Sequence, residues 1–269
     1  MRYMTRTTAL RTTPIAAAVT CLVLVAAPSA PAGTAPSSGP VVAAGIPDPL
    51  AGLEAAGDSV MLSDEKRTTR WAHAQSTANI LTAPVSNARP ITRLRFLTED
   101  KRDEVYIVLE GRLDSDEQQW LHIRIPRRPN GGTGWVRAED MSGLYTVRTR
   151  LVIDRSALRA KLFKQGRKIW EAPVAIGRAG TPTPLGTFWI RERLRGLGNG
   201  TAYGPWAFGT SAYSNLSDWP GGGVVGIHGT NQPGLIPGRP SHGCVRVRND
   251  KIRALARLMP IGTPVEVVR

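Results

Sequence analysis

Among 269 residues, 35 Lys/Arg oppose 21 Asp/Glu, and the resulting formal charge of +14 is unevenly spread. Residues 146–269 hold 19 basic and 6 acidic side chains, residues 33–145 hold 13 and 15, and residues 1–32 hold three arginines and no acid. Past the N-terminus no segment is apolar for long enough to cross a bilayer, which excludes a polytopic membrane protein; with Cys21 and Cys244 as its cysteines, the chain cannot be a disulfide scaffold either.

Arg2, Arg6 and Arg11 precede an apolar run from Ile15 to Ala27, and Ala30-Pro31-Ala32 supplies small residues before Gly33. That order reads as a secretory signal peptide over residues 1–32. Ala18-Val19-Thr20 before Cys21 lacks a lipobox, so Cys21 leaves with the signal and Cys244 remains as the one mature cysteine. Export to the periplasm or cell wall follows, with no transmembrane segment once the signal is removed. It also decides the meaning of the basic C-terminal half: acidic cell-wall polymers, and not nucleic acid, are the partners that an exported protein meets.

Residues 33–69, rich in Ala, Pro, Gly and Ser, read as a flexible tether. Over residues 70–144, Ile91–Leu97, Val105–Leu109, Trp120–Ile125 and Trp135-Val136 read as strands, punctuated by Pro126 and the Pro129-Asn130-Gly131-Gly132 turn. Trp120-Leu121-His122-Ile123, that turn, and Gly134-Trp135-Val136 together resemble bacterial SH3-like modules. His122 falls in strand alternation and reads as structural.

Residues 145–269 continue the β pattern. Thr146–Ile153, Ala160–Phe163, Ile169–Ile176 and Thr187–Ile190 are strand-like, closed by Gly166, Gly177 and Gly186. The stretch from Gly196 to Gly223 is rich in Gly, Asn and Ser yet carries Tyr203, Trp206, Phe208, Tyr213 and Trp219, the composition of a long lid. Asn249-Asp250 reads as a helix cap; Ile252, Leu255, Ala256 and Met259 follow at helical spacing and Pro260 stops the helix. Pro264–Val268 makes a last strand.

Chemistry concentrates in Ile227-His228-Gly229-Thr230 and Ser241-His242-Gly243-Cys244-Val245-Arg246. Cysteine acyl transfer needs a thiolate, a base beside it and donors for the developing oxyanion. A neighbouring histidine is expected to lower the thiol pKa. On a strand His242 and Cys244 share a face, unless Gly243 makes a sharp turn; His228 ends the apolar run Val224–Ile227, with Gly229 keeping space beside it. Spacing alone does not choose between the two histidines. His228, His242 and Cys244 as zinc ligands are the structural rival, but one cysteine without a nearby carboxylate is an uncommon zinc set.

These blocks, with Thr181-Pro182-Thr183-Pro184-Leu185-Gly186-Thr187-Phe188, are similar to the three signature segments of the L,D-transpeptidases, the family named after YkuD. The resemblance covers about the last 120 residues. It implies Cys244 as nucleophile, His228 as base, the Gly229 carbonyl as the group orienting that base, and an oxyanion hole of backbone amides around His242, Gly243 and Cys244. Ser241, Arg246 (placing the chain in the family's Arg branch) and Tyr203 are expected to shape the site or touch substrate.

The implied fold is mostly β: a small SH3-like barrel, then a larger YkuD-type β-sandwich with a long lid and one helix after the nucleophile. The implied activity is peptidoglycan 3-3 cross-linking from tetrapeptide stems with release of D-Ala, without cofactor or metal, and with susceptibility to carbapenems. Hydrolysis at the same site would make an L,D-carboxypeptidase, and a non-catalytic wall-binding protein is the reading from another class. A sortase is disfavoured by the missing Thr-Leu-x-Thr-Cys strand, and a papain-like endopeptidase by His228 preceding Cys244.

Overall fold

The structure, a computed structural model, describes residues 50–269 apart from Leu197 and Trp219; the signal peptide and residues 33–49 of the expected tether lie outside the described residues. Eight short strands come first: β1 (Ser59–Met61), β2 (Thr69–Ala72), β3 (Asn79–Leu81), β4 (Pro90–Arg93), β5 (Tyr106–Leu113), β6 (Gln119–Arg124), β7 (Thr133–Arg137) and β8 (Tyr145–Val147). They pair antiparallel in the order β4-β3-β7-β6-β5-β2-β8, with β1 on β5. Alternation turns Ile80, Val108, Leu121, Ile123 and Val136 into one core. His122 faces the other way and stacks on Trp135, its cross-strand partner, with centroids 4.6 Å apart and planes 9° apart.

The expected tether is corrected at its C-terminal end. Leu50, Leu53 and Leu62 are buried in this core, and β1 pairs with Arg112, Gly111 and Glu110 of β5. Gly111 is what admits Leu50: a Cβ there would lie 2.4 Å from Leu50 Cδ2. Three leucines spread through small residues look like linker in sequence but bury enough surface to fold.

Ten strands follow: β9 (Thr149–Asp154), β10 (Arg159–Lys164), β11 (Arg167–Gly177), β12 (Gly186–Trp189), β13 (Leu194–Arg195), β14 (Trp206–Tyr213), β15 (Val224–His228), β16 (Gly238–Ser241), β17 (Val245–Val247) and β18 (Pro264–Val268). Their order is β12-β18-β9-β10-β11-β17-β15-β14-β13, with β16 beside β11. The long β11 belongs to both halves: Arg167–Pro173 pair with β10, and Val174 onward with β17 and β16. Leu151, Phe188 and Val265 from one half meet Phe208, Val225, Ile227 and Val245 from the other in a single core. The helix α1 (Asn249–Leu258) adds Ile252, Leu255 and Ala256, and Met259 just beyond it is buried with them.

Two expectations change here. The segment from Gly196 to Gly223 is not one lid: its centre forms β14, which pairs with β15 and buries Phe208 and Ala212. Gly209 belongs there because a Cβ would come within 2.7 Å of Glu192 Oε2. Asn249 is not the helix cap either. Arg248 holds that position, and the Asn249 Oδ1 accepts the Thr230 N–H at 2.9 Å.

Arg148 alone separates β8 from β9, and the two sheets are joined by buried polar contacts. The Trp189 Nε1 donates to the Val105 carbonyl at 2.7 Å. Arg191 Nε donates to Glu104 Oε1 at 2.7 Å, both side chains almost wholly buried, and its Nη2 reaches Glu99 Oε2 at 2.9 Å. Burial pushes the Glu99 carboxyl up, but Arg191, the Tyr213 hydroxyl and Arg95 together hold it at about 2.

Candidate active site

β15 and β17 lie side by side and parallel, with Ile227 opposite Val245 and His228 opposite Arg246. Successive strand residues face opposite sides, so Gly226, His228, Cys244 and Arg246 share one face. Gly226 leaves that face bare at its centre. A Cβ on it would stand 3.6 Å from His228 Cδ2 and 3.9 Å from Cys244 Sγ, so the ring and the thiol flank the same glycine. The Gly226 N–H also donates to the sulfur at 3.3 Å. Sequence reading overlooks this residue, because its value lies in the side chain it lacks.

His228 is 4% exposed. Its Nδ1 lies 2.6 Å from the Gly229 carbonyl, which only accepts, so this nitrogen is held as a donor; the Ala202 carbonyl also hydrogen-bonds the ring. The Tyr203 ring leans on it, centroids 4.9 Å apart and tilted by 59°. Burial pulls the His228 pKa down to about 4, against the pull of the Gly229 carbonyl, and the Arg246 charge adds to the lowering. Burial likewise pushes the Cys244 thiol up, opposed by the Gly226 N–H and Arg246. The expected lowering of the thiol by a histidine is not what acts here: desolvation prevails over the Gly226 N–H and the Arg246 charge. At neutral pH the two groups beside Gly226 are therefore a thiol and a neutral imidazole.

The turn before Cys244 is built by hydroxyls. Ser241 Oγ donates to the Cys244 carbonyl at 2.6 Å and accepts the Gly243 N–H at 3.2 Å. Thr183 Oγ1 donates to the Gly243 carbonyl at 2.7 Å and accepts the Gly177 N–H at 3.0 Å, while Thr181 Oγ1 donates to the Ser241 carbonyl at 3.3 Å. Across a trans peptide C=O and N–H point oppositely, so anchoring the Gly243 carbonyl on Thr183 turns the Cys244 N–H the other way. Of the amides expected in an oxyanion hole, that of Gly243 is engaged within the turn. Gly243 has φ +124°, which breaks strand alternation. Half-buried His242 therefore sits in the turn between β16 and β17, on neither strand.

Further residues complete the walls. Arg246 Nη1 donates to Gln232 Oε1 at 3.1 Å. Gly229 and Gly204 approach so closely that a Cβ on either would lie 2.4 Å from Asn249 Oδ1, which locks the Tyr203 loop against the end of β15. On the opposite side, Ser214 packs against Gly243, whose Cβ would be 3.1 Å from Ser214 Cβ. That wall is held by the first sheet. Arg128 donates to the Gly222 carbonyl at 2.8 Å and to those of Ser214 and Leu216 at 3.0 Å, and Asn130 exchanges two hydrogen bonds with the Tyr213 backbone. Thr183 is visible in the sequence as part of a Thr-Pro block; Arg128, Asn130 and Ser214 carry no signal there, because the contact spans more than 80 residues.

The model of the YkuD family, described as the L,D-transpeptidase catalytic domain, matches residues 148–267. The chain is 34% identical over 125 residues to YkuD of Bacillus subtilis, covering 46% of this chain and 69% of that protein. It is 29% identical over 159 residues to ErfK/SrfK of Salmonella typhimurium, covering 52% and 50%. Among solved structures, a cysteine-to-serine mutant of the Enterococcus faecium L,D-transpeptidase is 28% identical, with a TM-score of 0.35, over 45% of this chain and 49% of that one. The match to that solved chain thus spans about half its length. The protein belongs to the YkuD family of L,D-transpeptidases, and residues 148–267 are its catalytic domain.

Proposed function

We propose that this chain is an exported peptidoglycan L,D-transpeptidase that forms 3-3 cross-links, with Cys244 as nucleophile and His228 as base. One observation supports this above all: the thiol and the imidazole flank Gly226, with Nδ1 fixed on the Gly229 carbonyl. In this reading Nε2 takes the thiol proton as sulfur attacks the carbonyl of the third, diamino-acid residue of a tetrapeptide stem. The Cys244 amide meets the oxyanion. Collapse breaks the peptide bond, and the proton on His228 leaves with the D-Ala amine. The thioester keeps the energy of the broken amide, so no nucleotide is needed. His228 then deprotonates the side-chain amine of a second stem, whose attack forms the cross-link and frees the thiol.

Tyr203, Arg246 and the Ser214 wall would hold the stems, and the basic half of the chain would favour acidic wall polymers. The first sheet, read as an SH3-like module, serves here as a rigid support for that wall. The test is mass analysis of products from purified tetrapeptide stems. Cross-linked dimer with free D-Ala is expected; tripeptide alone would establish an L,D-carboxypeptidase, and unaltered stems a wall-binding protein.

A further inference from the structure

A second concave site lies on the other side of the catalytic sheet. Between α1 and the β13–β14 hairpin opens a cavity of about 730 Å³, lined by Arg193, Arg195, Arg253, Arg257, Asn199 and Trp206 among others, and by no carboxylate. Arg195 and Trp206 are cross-strand partners. Trp206 precedes Ala207, the partner of His228, so its side chain faces away from the catalytic pair.

The arginines here are set apart by convergence: four of them line one cavity that holds no carboxylate, whereas several buried or cross-strand arginines of the domain are neutralised in place. Arg150 is compensated by Glu266 at 2.9 Å, Arg159 by Glu171 at 2.7 Å, and Arg191 by Glu104 and Glu99. Among the described residues, none of the four cavity arginines has a carboxylate within 4.0 Å. Two are nevertheless fixed: Arg193 donates to the Ala256 carbonyl, and Arg253 to Asn199 and to the Asn249 carbonyl. The guanidinium groups of Arg193 and Arg195 lie 5.6 and 5.8 Å from the Trp206 ring centre. Arg253 and Arg257, four apart on α1, project from one helix face. Four like charges converging without a counter-charge repel one another, and an anion from outside relieves that repulsion.

We propose that this cavity binds a phosphodiester-bearing anionic polymer. Guanidinium forks match phosphate oxygens two at a time, and four of them exceed what one carboxylate accepts. A chain of phosphodiesters presents successive anionic groups to such a cavity. Binding there would tether the catalytic domain to an anionic wall polymer while leaving the opposite face, with Cys244, open to stem peptides. Charge and geometry carry this site independently of the transpeptidase reading, so its test requires no turnover.

The test uses the mature chain carrying Cys244→Ala, titrated calorimetrically with a glycerol-phosphate oligomer, inorganic phosphate and polyglutamate. Arg195 and Arg257 are both exposed, so Arg195→Gln/Arg257→Gln should fold; Lys164→Gln/Arg167→Gln removes equal charge from the β10–β11 hairpin. The expected result is a loss of about tenfold or more in affinity for the phosphate oligomer in the first variant, and under about threefold in the second. Inorganic phosphate should bind more weakly at the same site. Equal losses in both variants, or polyglutamate binding as tightly as the phosphate oligomer, would overturn the assignment.

Discussion

His122 and His228 invite the same first reading and do different things. Each lies on a central strand, each has an aromatic ring against it, and burial lowers the pKa of each. His122 is stacked nearly parallel on Trp135 in a dense cross-strand pair, between the charges of Glu110 and Arg124. His228 instead has a carbonyl fixing one nitrogen, a tilted ring above it and a bare glycine beside it that admits a thiol. Desolvation and ring contact are therefore common to a structural histidine and a proposed base. The distinguishing features are a ring nitrogen fixed by a carbonyl and a bare glycine that leaves room for a thiol beside the ring.

The sharpest break of that comparison is removal of the thiol. Cys244→Ala should lower D-Ala release from tetrapeptide stems on the order of 10⁴-fold or more, with the near-ultraviolet circular dichroism unchanged. A variant retaining a tenth of the activity would show that the space beside His228 is not where chemistry occurs. Exchange of the histidines comes next. His228→Gln should cost roughly 10²- to 10⁴-fold in kcat. His122→Gln should leave kcat within about twofold and lower the melting temperature instead, since it loses ring packing alone. Comparable kcat losses in the two would erase the distinction.

Local pattern and long-range contact were unequally legible. Strands such as β9, β11 and β18 announce themselves by β-branched alternation bounded by turns, and the helix by the spacing of Ile252, Leu255, Ala256 and Met259. β14 was hidden because Gly209, Ser211 and its aromatic residues resemble loop sequence; its burial on both faces comes from neighbours far along the chain. The tether illusion at Leu50–Leu62 has the same origin, since Gly111 makes the room for Leu50. At the site, Cys244 and His228 stood out through unusual chemistry. Gly226, Thr183, Asn249 and Arg128 act by geometry, and the sequence carries no geometry across such separations. Asn249 reads as a cap by residue type and is diverted to Thr230 by the close approach of Gly204 and Gly229.

Thr183 tests whether the turn, and not only the two reactive groups, sets His228 apart. Its hydroxyl serves two backbone groups at once, the Gly243 carbonyl and the Gly177 N–H, and all are buried. Thr183→Val keeps the shape but strands both, at a cost of about 1–3 kcal/mol in unfolding free energy. The Gly243–Cys244 peptide then loses its direct anchor and is held only through the Ser241 hydroxyl on either side, so kcat should fall about tenfold with KM little changed. Thr183→Ser should recover most of the rate. If Ser and Val behave alike, the hydroxyl does not orient the Cys244 amide.

The smallest effect is read from stability against pH, and it separates His228 from the acidic junction between the sheets. With a folded pKa of about 4, His228 stays neutral while its unfolded counterpart binds a proton near ~6.5. Stability depends on the excess of protons bound by the unfolded chain, so its contribution is complete above about pH 6.5 and is lost as pH falls toward 4. The shift corresponds to about 3 kcal/mol at most, on the scale of ~1.4 kcal/mol per pKa unit. Glu99, also depressed, acts lower: its contribution is present above its unfolded value near ~4.3 and is lost as pH falls toward 2. Denaturant unfolding of the wild type should therefore lose stability between pH 6.5 and 4 that His228→Gln does not lose, whereas Glu99→Gln should flatten the curve only below about 4.5. His122, half-buried and also lowered, should give a shallower difference in the upper window. A His228→Gln curve parallel to wild type from pH 6.5 to 4 would mean that the ring takes up a proton in the folded state. An imidazolium–thiolate pair would show differently, by a folded pKa above ~6.5 and a wild-type stability advantage that is lost as pH rises through it.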